Sequence, residues 1–315
     1  MVTALSAWQQ LYSSAHPSPL QRLHHPLLNQ QRVKLWVKRD DLLHVRISGN
    51  KWRKLKYPTR HAIEQKAQGL LSFGGAYSNH LHALAAIGQE LALATQAIVR
   101  GEASSQNNPT LVDAKNWGMA LRFVDRQQYR QRQDPQWLAQ LSAQYPGYLL
   151  LPEGGSCVAA LPGVAEIWTE LAMQVATNSE APRHIDQLIL PVASGATLAG
   201  LISQRPSHTQ LSAYAVLKGA SWLAKEVITL CPYAAQDSGW QLRLAHHCGG
   251  YAKCSALDSA EISQLSRELG VPLEPIYSGK ALLGLFRDLK AGYYPPSSQL
   301  VFLHTGGLQG ARSRA

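Results

Sequence analysis

Short apolar runs bounded by glycine or proline alternate along the chain with longer stretches whose apolar residues recur at helical spacing. That alternation predicts parallel strands joined by crossover helices, an α/β fold. Val33, Leu35 and Val37 alternate with Lys34, Trp36 and Lys38 as in a strand, and residues 52–68 read as a helix in which Pro58 starts a new turn or kink. Leu70, Leu71, Ser72 and Phe73 form a short buried strand ending at Gly74 and Gly75. After Ser78 and Asn79, residues 80–93 return to helical spacing, and 96–100 make the next strand. A second such unit follows: an apolar strand at 187–192, a small-residue loop at 193–197 and a helix from Leu198 onward. Between the units, residues 104–140 are polar, with Gln and Arg crowded into 127–133, and read as solvated helices. No fixed-period repeat occurs, and the only low-complexity piece is a frayed end at 311–315.

Composition narrows the picture. At about 150 residues per domain, 315 residues predict two domains. With 45% apolar residues and scattered glycine and proline, the chain belongs with ordered globular proteins. Lys and Arg number 30 against 20 Asp and Glu, a net charge of +10, nearly all of it within residues 1–157. The excess is spread as singles (Arg22, Arg32, Lys34, Arg46, Arg60, Arg122, Arg126, Arg130, Arg132) and lacks the dense run of a nucleic-acid tail. A basic module that binds an anion or nucleic acid is therefore the non-enzymatic alternative, and the weaker one. The first twenty residues carry no Lys or Arg, unlike a signal peptide, and residues 188–202 are broken by Pro191, Ser194 and Gly195, short of the ~20 apolar residues of a bilayer span. Four cysteines, Cys157, Cys231, Cys248 and Cys254, are too sparse for a disulfide scaffold, so a reducing cytoplasm is expected.

Three segments can carry chemistry. In Ser48, Gly49, Asn50, Lys51, Trp52, Arg53 and Lys54, a lysine follows a small-polar turn at the mouth of a helix, in a crowd of cations. Crowded cations and helix amides lower a lysine's pKa and attract phosphate, as a Schiff-base lysine and a phosphorylated cofactor require; an exposed basic helix start is the plainer reading. In Gly74, Gly75, Ala76, Tyr77, Ser78, Asn79 and His80, a glycine turn presents free amides that can hold a carboxylate, with Ser78 supplying a hydroxyl; an ordinary helix cap is the competing reading. In Ser194, Gly195, Ala196 and Thr197, small residues between strand and helix can cradle phosphate. No Gly-x-Gly-x-x-Gly or Walker pattern is present, which disfavours a nucleotide. His246, His247, Cys248 and Cys254 lie close in sequence without a zinc spacing, so no metal is expected. Tyr277 could serve as an acid or base, or close a turn before a helix.

Taken together, these segments resemble the 1-aminocyclopropane-1-carboxylate deaminase and D-cysteine desulfhydrase family of pyridoxal-phosphate enzymes, with the tryptophan-synthase-β-like fold. The likeness runs over residues 30–310. It is carried by Val37 to Asp41, Gly49 to Leu55 around Lys51, Gly74 to His80, Pro152 to Ser156, Ser194 to Gly200, Tyr277 to Leu282 and His304 to Gly307. The resemblance implies two three-layer α/β/α domains with mostly parallel sheets: a smaller one, 53–155, inserted into a larger one, 1–52 with 156–315. It implies a homodimer, pyridoxal phosphate held covalently by Lys51, its ring hydroxyl met by Asn79, and its phosphate by Lys54 and the loop Ser194, Gly195, Ala196 and Thr197. Ser78 and Tyr277 match the family's catalytic residues at the substrate α-carbon. Ser78, Asn79 and His80 match its carboxylate-binding loop, and Tyr251 is the candidate for its substrate-stacking place.

Two positions separate the family's branches. Deaminases have Glu after the tyrosine of the Tyr277 motif and Leu in place of Thr305, whereas desulfhydrase-like members have a small hydroxyl residue at each. This chain has Ser278 and Thr305, both expected beside the cofactor's pyridine nitrogen. The resemblance thus implies β-elimination from D-cysteine to pyruvate, ammonia and sulfide, with cyclopropane opening to 2-oxobutanoate as the alternative. The segment Cys248, Gly249, Gly250, Tyr251, Ala252 and Lys253 departs from the family pattern and leaves D-cysteine, β-chloro-D-alanine, D-serine and an unrelated amino acid as candidate substrates.

Overall fold

The computed structural model describes residues 3–14, 16–47, 49–309 and 312; Ser48 and, apart from Arg312, the terminal piece 311–315 lie outside the described residues. Among the described residues, ten strands form two sheets. Strands β1 (Leu20–Leu23), β2 (Lys34–Lys38), β7 (Gln187–Val192), β8 (Gln210–Ala215), β9 (Trp240–Arg243) and β10 (Gln299–Leu303) make a six-stranded sheet in the order β1-β2-β10-β7-β8-β9. Strands β3 (Gly69–Gly75), β4 (Ala94–Arg100), β5 (Met119–Val124) and β6 (Tyr148–Leu151) make a four-stranded sheet in the order β5-β4-β3-β6. Every pairing is parallel except β1 with β2. The chain thus completes the whole smaller sheet between β2 and β7 of the larger one.

Parallel sheets are covered on both faces, so their strands are apolar on both sides. On β10, Val301 and Leu303 join Trp36, Leu188 and Leu190 on one face, under Leu161, Ile167 and Trp168 of the Leu161–Thr177 helix and Leu198 of the Ala196–Ile202 helix. Leu300 and Phe302 join Leu35, Val37 and Ile189 on the other, under Leu282 and Leu285 of the Ser278–Lys290 helix. The smaller sheet repeats the arrangement. Leu70, Ala97 and Val99 pack under Leu84 and Ile87 of the Asn79–Leu91 helix, while Leu71, Phe73 and Ile98 face Trp137 and Leu141. Trp8 and Tyr12, from the Ala4–Ser13 helix, join the former core. Each sheet is the middle of three layers, as the alternation of elements implies.

Residues 104–140 differ from their reading as solvated helices. They contain β5, an edge strand of the smaller sheet, and bury Leu111, Tyr129 and Trp137. An edge strand is only half covered, so its run Met119, Ala120, Leu121, Arg122, Phe123 and Val124 keeps a polar residue and loses the continuous apolar signature. The Asn50–Glu64 helix runs unbroken through Pro58, where Thr59 Oγ1 donates to the Leu55 carbonyl at 2.7 Å. Among the described residues, no helix is long and apolar enough to cross a membrane.

Candidate active site

The carboxyl ends of β3, β7 and β10 open on one cavity of about 570 Å³, where ligands collect in open parallel sheets. The helix Asn50–Glu64 begins there. Gly49 caps it at φ 58°, and a β-carbon on Gly49 would stand 1.9 Å from the Thr305 carbonyl oxygen, which accepts the Asn50 N–H at 3.0 Å. Only glycine allows the lysine turn to lie against the end of β10. Lys51 therefore enters the cavity wall, its Nζ donating to Asn50 Oδ1 at 2.9 Å.

Burial pushes the Lys51 amine down to about 8, so a sizeable share is neutral near physiological pH. Burial, and not the expected crowd of cations, is the cause, because the four cations of the first two turns of this helix part company. Arg53 turns into the larger core, where its Nε and Nη2 donate to Asp40 at 2.7 and 2.8 Å and its Nη1 to Glu170 at 2.8 Å. Lys38 donates to the same Glu170 at 2.6 Å. Lys56 pairs with Glu166 at 2.6 Å. Lys54 is fully buried and, among the described residues, has hydroxyls alone as hydrogen-bond partners, Ser156 Oγ at 3.3 Å and Ser194 Oγ at 3.4 Å. Burial, and then the nearby Lys51, hold its pKa well below the ordinary lysine value.

The Ser194 to Thr197 loop leaves β7 through Gly195 at φ 81°. Ser194, Gly195 and Thr197 line the cavity beside Lys51; Thr197 Oγ1 accepts from Asn50 Nδ2 at 3.0 Å. Ala196 starts the following helix, buried behind the wall.

On the smaller sheet, Ser78 both caps the Asn79–Leu91 helix, accepting the Leu81 N–H at 3.3 Å, and lines the cavity, so the two readings of this segment coexist. Asn79 Oδ1 is buried without a partner. Ser72 Oγ donates to the Leu151 carbonyl at 2.8 Å and so accepts from His80 Nε2–H at 2.8 Å, which leaves His80 Nδ1 a buried, unpartnered acceptor. Burial, with Lys51 and Lys54 nearby, drives the His80 pKa well below 6.5, so the ring is neutral.

On the far side, Tyr277 donates its hydroxyl to Tyr251 at 3.3 Å, the rings meeting edge-on at 6.1 Å. Burial first, and then Tyr251, raise the Tyr277 pKa well above 10, making it a proton donor in its resting form. Glu274, a residue the sequence reading missed, fixes this corner: its buried carboxylate accepts backbone N–H groups of Ile276 at 2.6 Å, Tyr277 at 2.9 Å and Ser278 at 2.6 Å, and burial lifts its pKa to about 8 against those bonds. Its place just ahead of the Ser278–Lys290 helix was the available signal. Thr305 lines the cavity; Ser278 does not, its Oγ lying fully buried and unpartnered at the start of its helix.

The reading of 127–133 as solvated surface needs correction at Arg132 and Gln133, which line the cavity together with Arg100, Glu153, Trp222 and Glu226. Arg132 donates to Glu153 at 2.5 Å, and Tyr129 donates to the same carboxylate at 2.7 Å. His246, by contrast, sits behind the sheet on Asp288 at 3.0 Å. Among the described residues, Cys157, Cys231, Cys248 and Cys254 are all free thiols.

A buried lysine amine with no carboxylate against it, two serine hydroxyls, a left-handed glycine turn, a buried amide with an empty acceptor and a second lysine of lowered pKa together fit a phosphorylated aldehyde with a ring hydroxyl. Fold and site define a pyridoxal-phosphate enzyme of fold type II. The chain belongs to the pyridoxal-phosphate dependent enzyme family, whose sequence pattern matches residues 13–306. It is 27% identical over 316 residues to the bifunctional D-cysteine desulfhydrase/1-aminocyclopropane-1-carboxylate deaminase of Arabidopsis thaliana, covering 95% of this chain and 78% of that one. It is 26% identical to the D-cysteine desulfhydrase of Yersinia pestis, covering 96% and 95%. A solved structure described as an ACC deaminase homologue superposes with a TM-score of 0.77 at 24% identity, covering 96% of this chain and 95% of that one.

Proposed function

We propose that this pyridoxal-phosphate enzyme catalyses β-elimination from a small D-amino acid, with D-cysteine the leading substrate: D-cysteine and water give pyruvate, ammonia and sulfide. Bound pyridoxal phosphate supplies the electron sink for a bond at the substrate α-carbon. Lys51 Nζ, with its lowered pKa, holds the cofactor and takes the α-proton. Lys54, with Ser194, Gly195, Ala196 and Thr197, takes the phosphate, and Asn79 the ring hydroxyl. The turn at Ser78, Asn79 and His80 receives the substrate carboxylate. Tyr277, protonated and braced by Tyr251 and Glu274, donates its proton on the substrate's far side, and Tyr251 flanks the substrate there.

The observation that carries the choice of branch is that Thr305 lines the cavity just past the end of β10, while Ser278, buried and unpartnered at the start of its helix, stands where a carboxylate would mark the other branch. Hydroxyls leave a pyridine nitrogen closer to neutral, which suffices to expel a thiolate. The name of the Yersinia pestis relative supports the same reading, and that of the Arabidopsis thaliana relative includes both activities. It also takes residues 53–155 as a smaller domain inserted into 1–52 with 156–315, and the working unit as a cytoplasmic homodimer.

The test is 2-oxo-acid release by the cofactor-loaded protein from D-cysteine, with 1-aminocyclopropane-1-carboxylate in parallel. Pyruvate with sulfide from D-cysteine alone is expected; 2-oxobutanoate from the cyclopropane would overturn the branch assignment. Ser78→Ala and Tyr277→Phe should each lower kcat by about 10²- to 10⁴-fold, the usual worth of a positioned proton donor or acceptor. Full activity in both variants would remove these residues from the reaction.

A further inference from the structure

The cavity that runs from the Ser194 loop to Ser78 continues to a wall that the proposed reaction leaves unused. Arg100 ends β4 there, and Arg132 faces it across Tyr129, their guanidinium carbons 5.5 and 5.1 Å from the ring centre. Arg132 is neutralised by Glu153. Arg100 is not: the residue is exposed at the cavity's rim, and among the described residues its guanidinium makes no ion pair and no hydrogen bond, only the ring contact with Tyr129. Its Nη2 reaches to 3.5 Å from the point a β-carbon on Gly75 would occupy, beside the Ser78 turn. The tyrosine face holds both guanidinium groups at the cavity wall while leaving the forked N–H edge of Arg100 free.

A free guanidinium in a substrate cavity matches a carboxylate, with which it makes paired, charge-assisted hydrogen bonds. Resting on the β-elimination reading above, we infer that Arg100, backed by Arg132, selects amino acids whose β-leaving group ends in a second carboxylate. The α-carboxylate stays on the Ser78 turn. Arg100 meets the distal one, and a thiolate bearing that carboxylate departs in place of hydrogen sulfide. The reaction balances as before: the Cβ–S bond breaks, and the amino acid and water yield pyruvate, ammonia and the carboxylated thiol.

The test compares S-carboxymethyl-D-cysteine with S-carbamoylmethyl-D-cysteine, nearly identical in shape and differing by one negative charge. For the holoenzyme both kcat/KM and the dissociation constant, read from the change in cofactor absorbance, are measured for each compound. The acid should be favoured over the amide by about tenfold or more, as expected of a charge-assisted hydrogen bond. In Arg100→Met that ratio should fall toward one, and in Arg100→Lys it should stay above one. Equal preference in the unmodified enzyme overturns the inference and leaves the elimination reading standing if D-cysteine still yields pyruvate. A ratio unchanged in Arg100→Met while both compounds weaken would place Arg100 at the α-carboxylate and overturn it too. If neither compound is turned over, the two dissociation constants decide the matter alone, and the failure belongs to the elimination reading.

Discussion

The helix Asn50–Glu64 carries buried cations of two kinds. Arg53, 2% exposed, engages all three of its side-chain nitrogens with Asp40, Glu170 and Ser18, within a network that ends at Lys38. Lys54, just as buried, and Lys51 form no ion pair among the described residues. Burying a charge is costly unless it is paired, and a pair broken on one side costs more than the pair ever contributed. The paired cation is scaffold: it ties the lysine helix to the end of β2 and to the Leu161–Thr177 helix. On the proposed function the unpaired ones hold the cofactor, at a cost that its phosphate and aldehyde offset on binding. The same rule separates Arg132, paired with Glu153, from Arg100 in the cavity wall.

Substitutions on this helix can break the comparison. Lys51→Ala should abolish turnover, by at least about 10³-fold, in a protein that still folds, checked by 2-oxo-acid release beside a thermal melt. Arg53→Met should do the reverse. It leaves Asp40 and Glu170 buried and uncompensated, and should lower unfolding free energy by about 3–5 kcal/mol in denaturant titrations. Lys54→Met falls between: the cofactor-free protein should be at least as stable as its parent, since an unpaired buried amine is removed, whereas pyridoxal phosphate affinity should drop about 10- to 100-fold. A Lys54→Met protein as damaged as Arg53→Met would erase the distinction.

A smaller effect sharpens it. The neutral form of Lys51 is favoured in the folded protein, so its reactive fraction rises with pH and levels off above about 8, well below an ordinary lysine. Labelling of the cofactor-free protein by an amine-directed reagent, read residue by residue, should show half-maximal reactivity at Lys51 near that pH. A midpoint above 10 would mean that the amine is not desolvated.

Much of this was legible in the sequence because it is local. Strand β7 announces itself as an apolar run, and the turns at Gly49, Gly75 and Gly195 are written in glycine and small polar residues that also place Lys51, Ser78 and Ser194. What was hidden depends on contacts between distant segments. Nothing near Arg53 in the chain says that it will face Asp40 and Glu170 while Lys54, one residue on, meets only serines. The Gln- and Arg-rich piece around Arg132 looks solvated because its edge strand and short helices carry few apolar residues; only the pairing of β4 with β5 brings it to the cavity. Around Ser278, whose hydroxyl is buried and unpartnered, Glu274 grips three successive amides, a contact no spacing rule announces.

The most direct test of the account titrates the cofactor-free protein with pyridoxal phosphate while following thermal unfolding in the parent, Lys54→Met and Lys51→Ala. Unpaired cations that exist to hold this group predict a large rise in melting temperature for the parent and a much smaller one in both variants, from unliganded melting points close to the parent's. Equal stabilisation of all three proteins would contradict the claim that these two amines are the cofactor's seat.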